Sequence, residues 1–339
     1  MPKIKSILLP LFAGVIIFTW AVAIFFYYQA TVPVGISTQT VTFNITPGAT
    51  LKQVSKKLKN HNLIRNENAF RMLANIRQKQ THIQIGEYEL NESMLPIDIL
   101  KVITSGKTVL QLITIPEGYR ITEMAELLAK KISINKEEFI KESRDKGLIK
   151  KLNITSKSLE GYLFPETYHF SKYSSEKIII QTMIKTFQER IKSHKVLDQI
   201  KNSDMTLHDV ITLASLIEKE TGMHGERKHI SSVFHNRLRR KMRLQTDPTV
   251  IYAIKNFDGN IRKKDLGIDS PYNTYRHKGL PPGPIASPGI KSIIAAINPI
   301  KTNHLYFVSK KNGSHYFSSN LKEHNRAVQK YQLKKVTQN

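Results

Sequence analysis

Ile7–Tyr28 runs for 22 residues without a charge and is rich in Leu, Ile, Val, Phe and Ala. As a helix rising about 1.5 Å per residue it extends roughly 33 Å, enough to cross a hydrocarbon core of about 30 Å. Lys3 and Lys5 precede the run and the next charged residue is Lys52. That asymmetry predicts an N-terminus in the cytoplasm and the remainder of the chain outside it. Trp20, Tyr27 and Tyr28 lie toward the outer end, where interfacial aromatics are common. A cleaved signal peptide is the alternative, with Ala21-Val22-Ala23 as the small-residue cut. The apolar run continues past that cut through Ile24, Phe25 and Phe26, so an uncleaved, single-pass anchor in the cytoplasmic (inner) membrane is expected. Membrane lipid is then a partner of residues 7–28.

Beyond Tyr28 lie 311 residues, long enough for about two domains with their own cores. The two lysines ahead of the anchor take two of the formal net charge of +25, leaving +23 beyond it. Charge of that sign raises nucleic acid as a partner of a cytoplasmic protein. With the anchor, it points instead to anionic headgroups and acidic wall polymers, and no nucleic acid is expected. The basic residues come as scattered pairs such as Lys56-Lys57 and one triplet, Arg239-Arg240-Lys241. They read mainly as solvated surface rather than a basic tail. Cysteine is absent, which excludes disulfides, thiol nucleophiles and thiolate metal sites.

The predicted fold class is α+β: an N-terminal transmembrane helix, a small α+β module and a larger α+β catalytic domain. Residues 1–28 are read as stub and anchor, 29–39 as a tether, 40–107 as the module, 108–332 as the large domain and 333–339 as a tail. In the module, Val41, Phe43 and Ile45 alternate as a strand. Thr50 caps a helix carrying Leu51, Val54 and Leu58 at helical spacing. A helix over Glu67–Arg77, a strand at Glu87–Leu90 and a helix over Pro96–Thr104 ending at Gly106 complete it. This strand–helix–helix–strand plan resembles the LysM fold, which binds N-acetylated glycans. Farther on, Thr108–Ile115 reads as a strand, and helices are expected near Ile121–Ile132, Lys136–Arg144, Ser175–Ile191, Thr206–Thr221 and Glu226–Arg243. Two strands flank a turn at Lys311-Asn312-Gly313.

The helix at 206–221 carries the sharpest chemical signal. Thr206 and Asp209 have the spacing of a capping box, and Leu207, Val210, Ile211, Ala214 and Ile217 form an apolar stripe. Glu218 falls within that stripe, whereas Glu220 lies near its edge beside Leu213. A carboxylate on a core-facing stripe is either ion-paired to an arginine or sits at the floor of a cleft. In a cleft, apolar neighbours raise its pKa and it can serve as a general acid. Among the other carboxylates, Asp247 before Pro248 reads equally as an N-cap, and Glu166 as a sugar ligand or a turn cap. Glu160 and Glu220 read as structural. Tyr162, Phe164, Tyr168, Tyr272 and Tyr275 are candidates to stack on sugar rings, though each also suits core or loop packing. No G-x-S-x-G, G-x-G-x-x-G, P-loop or H-E-x-x-H occurs, and the twelve histidines are scattered. No metal or other cofactor is expected.

Five segments resemble the YceG-like family of endolytic murein transglycosylases: LEGYLFPETY (159–168), ASLIEKETG (214–222), SVFHNRLRRKMRLQTDPTVIY (232–252), SPYNTYRHKGLPPGPIASPG (270–289) and LYFVSKKNGSHYFSSNLKEHNRAV (305–328). They stand in the family's order over most of residues 110–330, and the anchor and small module match its layout. The resemblance implies cleavage of the β-1,4 bond between N-acetylmuramic acid and N-acetylglucosamine within a strand, leaving a 1,6-anhydro end and limiting strand length. It implies a lyase with one catalytic glutamate in A-S-x-x-E-K-E-T, carried over here to Glu218. Tyr162, Glu166, Tyr168, Gln245, Asp247, Tyr272, Asn273 and Tyr275 would hold the sugars, with the proline-rich loop 279–285 as a wall of the cleft. Peptidoglycan strands are the expected partner, and peptidoglycan synthases a further one. A non-catalytic, membrane-anchored glycan-binding scaffold is the alternative.

Overall fold

The computed structural model describes residues 3–152, 154–201, 203–222 and 224–333. The chain divides into two units, residues 1–111 with 169–173 and residues 112–168 with 174–339. The architecture is mixed α+β. The expected tail lies, apart from Leu333, outside the described residues.

The first unit opens with α1 (Lys3–Thr31). Its Phe12–Thr31 window, of mean hydropathy 1.7, is the one helical stretch among the described residues long and apolar enough to cross a membrane. Next come β1 (Val41–Ile45), α2 (Leu51–Asn60), α3 (Glu67–Ile76), β2 (Gly86–Leu90) and α4 (Pro96–Ser105). Thr50 caps α2 in a reciprocal box with Gln53, Asn66 caps α3, and α4 ends on Gly106 at φ +72, a conformation that suits glycine. β1 and β2 pair antiparallel, Phe43 opposite Tyr88. Phe43, Leu58, Leu63, Phe70, Tyr88, Ile99 and Ile103 form a closed core, each such side chain contributing about 1.5–3 kcal/mol by burial. Residues 33–37, expected as part of a tether, are held along this unit. Arg65 donates to the carbonyls of Pro33 and Val34, and backbone bonds join Gly35 to Glu92 and Ser37 to Ser93.

β3 (Leu110–Thr114) and β4 (Thr167–Ser171) form a second strand pair. The second unit includes α5 (Ile121–Lys131), α6 (Lys136–Glu142), α7 (Lys146–Lys151), α8 (Glu176–Ser193), α9 (Val196–Ile200), α10 (Leu207–Glu220), α11 (Arg227–Arg239), α12 (Asp247–Ala253) and α13 (Ile290–Ile297). The antiparallel pair β5 (Tyr306–Ser309) and β6 (His315–Ser318) and helix α14 (Leu321–Val328) follow. The short helices α7, α9, α13 and α14 have no counterpart in the sequence reading; they carry too few turns to make a periodic pattern.

α10 is the axis of this unit. Thr206 and Asp209 form the expected capping box. Every residue from Val210 to Ile217 is buried, so the helix is covered on all sides, against α11, α12 and α13. An amphipathic stripe therefore does not describe it, because Thr212, Leu213, Ser215 and Leu216 are as inaccessible as the stripe itself.

Candidate active site

A cavity of about 410 Å³ opens beyond the C-terminal end of α10, lined among others by Glu220, Arg237, Gln245, Asp247, Tyr306 and His324. Glu220, the last residue of α10, projects its carboxylate into it and accepts a hydrogen bond from Thr246 Oγ1. Burial, and secondarily the neighbouring Asp247, raise its pKa above the usual carboxylate value; the Thr246 bond and Arg237 oppose the shift. Desolvation dominates because a charge loses more hydration than one hydroxyl restores.

Arg237 is a buried strut of this cavity. Its guanidinium donates to the carbonyls of Leu305 and Leu244, both at 2.6 Å, and lies 5.1 Å from the Tyr306 ring centre. Tyr306 in turn stacks on His324 at 5.1 Å. Burial and then Arg237 depress the His324 pKa, which favours a neutral ring. Opposite, the Tyr275 hydroxyl donates to Asp247 Oδ1. Gln245 takes a left-handed backbone, φ +51, and its amide N–H donates to the Thr274 carbonyl.

Asp247 is not the N-cap. α12 begins at Asp247 itself, and Thr246 occupies the capping position without making a side-chain cap bond. The Thr246 hydroxyl is engaged by Glu220 instead, leaving the Asp247 carboxylate in the cavity.

Glu218 has different surroundings. It is 7% exposed and ion-paired to Arg227 at 3.0 Å, and its other oxygen accepts from the Gly289 N–H at 3.0 Å. Arg227, itself 5% exposed at the side chain, also reaches Glu117 at 3.3 Å and Ser292 Oγ at 2.8 Å. The packing here is so close that a Cβ on Gly289 would fall 1.8 Å from Glu117 Oε1. Glu218 therefore stands in an ionic cluster that opens to solvent at Glu117, whose side chain is 41% exposed, and it is not among the residues lining the cavity with Asp247 and Gln245. The ion pair read from its helical position is present, in a cluster that reaches solvent through Glu117.

The remaining expected site residues separate in the same way. Gln245, Asp247 and Tyr275 line the cavity; Tyr162, Glu166, Tyr168, Tyr272 and Asn273 do not. Tyr162 is 2% exposed and bonds His208 through its hydroxyl at 2.8 Å. Tyr168 is 5% exposed and donates to the Phe164 carbonyl. Neither offers a free ring face to a sugar. Glu166 pairs with Arg190. Asn273 is fully buried, its amide donating to the carbonyls of Leu266 and Ile268. Tyr272 packs on Tyr252 at 4.8 Å. The loop 279–285 is no wall of the cavity: it is pinned to α10, with His208 bonded to the Pro282 carbonyl and the Ile285 N–H donating to Ser215 Oγ.

Residues 43–330 match the model of the YceG-like family. The chain belongs to the YceG-like family. A Bacillus subtilis relative named endolytic murein transglycosylase is 39% identical over 311 residues, 87% of this chain and 86% of that protein. A Streptococcus pneumoniae protein of the same name is 32% identical over 320 residues; the match takes in 85% of this chain and 58% of that protein. The crystal structure of a yceG-like protein from Listeria monocytogenes superposes with a TM-score of 0.60 at 36% identity, covering 86% of this chain and 99% of that one.

Both glutamates of E-K-E-T thus belong to a segment of this YceG-like chain, and only geometry separates them. The sequence reading of the Q-T-D-P segment turns on Asp247 and Pro248, and the Thr246 hydroxyl that engages Glu220 carries no signal in the sequence alone.

Another carboxyl of the LEGYLFPETY segment has a structural effect of its own. Glu160 is 6% exposed and accepts from the Ile121 N–H at 3.1 Å, which satisfies the start of α5. Burial pushes its pKa from 4.5 to about 7. The folded chain therefore holds a proton there between pH 4.5 and 7 that the unfolded chain has released. Stability falls as pH rises through that window, by about 3 kcal/mol in all at about 1.4 kcal/mol per pH unit. Glu160→Gln removes this slope. Urea unfolding of both proteins at pH 5 and pH 7 reads it as a pH-dependent gap between them.

Proposed function

We propose that this chain is an endolytic murein transglycosylase with one catalytic glutamate in E-K-E-T; the family resemblance implies Glu218, and the cavity geometry favours Glu220 as the general acid. The observation that carries the reading is a single recessed carboxyl, its pKa raised by burial, facing a polar cavity with Gln245, Asp247 and Tyr275. The names of the relatives supply the substrate, peptidoglycan. A carboxyl whose acid form persists above the usual carboxylate range can donate to a leaving oxygen.

In the reaction, Glu220 gives its proton to the bridging oxygen as the bond from muramyl C1 to that oxygen breaks. The muramyl C6 hydroxyl attacks C1, and its proton returns to Glu220. One bond forms for the one that breaks, no water is consumed, and the strand ends in a 1,6-anhydro ring. A hydrolase needs a second carboxylate as base or nucleophile. Here the attacking hydroxyl belongs to the same sugar, which gives it an effective-concentration advantage over water. Gln245, Asp247 and Tyr275 hold the flanking sugars, and no cofactor takes part.

α1 serves in this reading as an uncleaved anchor with the second unit outside the cytoplasm. That location presents the cleft to strands as they emerge at the membrane. The small module, with its cavity of about 270 Å³ along the β1–α2 loop, would bind glycan as LysM domains do. Mass analysis of murein fragments tests the chemistry. Anhydro-muramyl ends are expected; reducing ends would make the protein a hydrolase, with Asp247 as the second carboxylate.

A further inference from the structure

The cavity at Glu220 does not end at its rim. Leu321 and Asn325 line it, and the same two residues line an adjoining surface concavity of about 810 Å³ on the outer face of α14. The other residues of that second concavity include Lys322, Arg326 and Lys330. Lys322 and Arg326 are one turn apart on α14, and Lys330 follows in the π-helical segment Gln329–Leu333 that continues it, its ammonium 5.1 Å from the Tyr331 ring centre. All three side chains are exposed. Among the described residues none has a carboxylate within ion-pair distance, although Glu323 lies on the same helix. Leu321, 54% exposed, stands where the two concavities meet. The opposite face of α14 is inward, with Ala327 buried.

A row of cations without carboxylate partners, leading away from a cleft, selects for ligands that carry anions at a distance from the reacting bond. The glycan backbone itself is uncharged at the glycosidic bond. The anions of a peptidoglycan strand lie on its peptide stems, which end in free carboxylates and branch from the muramyl sugar.

We propose that the α14 face is the stem-peptide subsite of the cleft, with Lys322, Arg326 and Lys330 pairing with stem carboxylates, so that the preferred substrate is a strand bearing its stems. This rests on the cleft being the glycan site. The cations act on substrate binding and not on the bond-breaking step. Each exposed pair is individually weak, and their joint effect is a preference rather than an absolute requirement.

The test uses the full chain in detergent with two substrates: uncross-linked strands with intact stems, and the same strands stripped of stems by an amidase. Wild type should show a KM about tenfold lower on stem-bearing strands, a preference that weakens as salt is raised. Lys322→Gln/Arg326→Gln/Lys330→Gln should bring the two KM values together, with kcat on stem-bearing strands within about twofold of wild type. Equal KM values for wild type on both substrates would overturn the proposal. So would an equal loss by the triple variant on both, or a loss confined to binding phosphatidylglycerol vesicles, which would make the face a lipid contact. Binding of the two strands to Glu220→Gln protein, with and without the three substitutions, reads the subsite without turnover. If wild type cleaves neither substrate, the functional reading fails, and these binding measurements still decide the subsite.

Discussion

Glu220→Gln loses about 10³-fold in kcat on murein while keeping the wild-type melting temperature. The magnitude is that of removing a positioned general acid from a step whose leaving group needs a proton. The fold survives because the glutamine carbonyl can still accept from Thr246 Oγ1, as the carboxylate does, and removing a charge from a desolvated position has no solvation cost. The wild-type rate has a second signature. Because the pKa of Glu220 is raised by burial, the acid form persists to higher pH than for an ordinary carboxyl, and kcat falls on the alkaline side as that proton is lost. Asp247→Asn removes a neighbouring negative charge and moves that limb to lower pH. Rates across a pH series, with circular dichroism to monitor folding, measure both effects.

The second large effect is on stability. Arg227→Met takes away the ion-pair partner of Glu218, whose side chain is 7% exposed, and removes the donor to Ser292, while Glu117, 41% exposed, stays in contact with solvent. Breaking a buried ion pair by deleting one partner costs about 3–5 kcal/mol, or roughly 10 °C in Tm for a domain of this size. Glu218→Gln is milder, because the guanidinium keeps Glu117 and the glutamine can still accept from Gly289. Urea unfolding of the full chain in detergent checks the order. A loss under about 1 kcal/mol for Arg227→Met would mean that the cluster is screened by water.

Most of the first unit could be read directly from its residues. Thr50 with Gln53, Asn66, and Pro96 with Gly106 are local signals whose partners lie within ten residues, and the alternation Val41–Phe43–Ile45 needs only a sheet to bury it. Ile7–Tyr28 was readable for the same reason: length and apolarity belong to the segment alone. The candidate site was harder because its pieces are remote. Glu218 and Glu220 are two residues apart, and helical position favours the first. Deciding between them needs Arg227 on one side and Thr246 on the other, both brought in by tertiary packing. The stripe reading failed at α10 because a central helix is buried all round, so an inward-facing carboxylate identifies an ion pair as readily as a cleft. The tyrosines of LEGYLFPETY are readable as aromatic but not as core or surface. Their hydroxyl partners, His208 and the Phe164 carbonyl, exist only in the fold.

Digestion of one murein preparation by wild type, Glu218→Gln and Glu220→Gln, each verified as folded, with anhydro-muramyl ends counted by mass spectrometry, bears most directly on the assignment of the acid. Anhydro ends should form with wild type and Glu218→Gln and fall to background with Glu220→Gln. Anhydro ends from Glu220→Gln at the wild-type rate, with none from a folded Glu218→Gln, would contradict the account and return the catalytic role to the ion-paired glutamate.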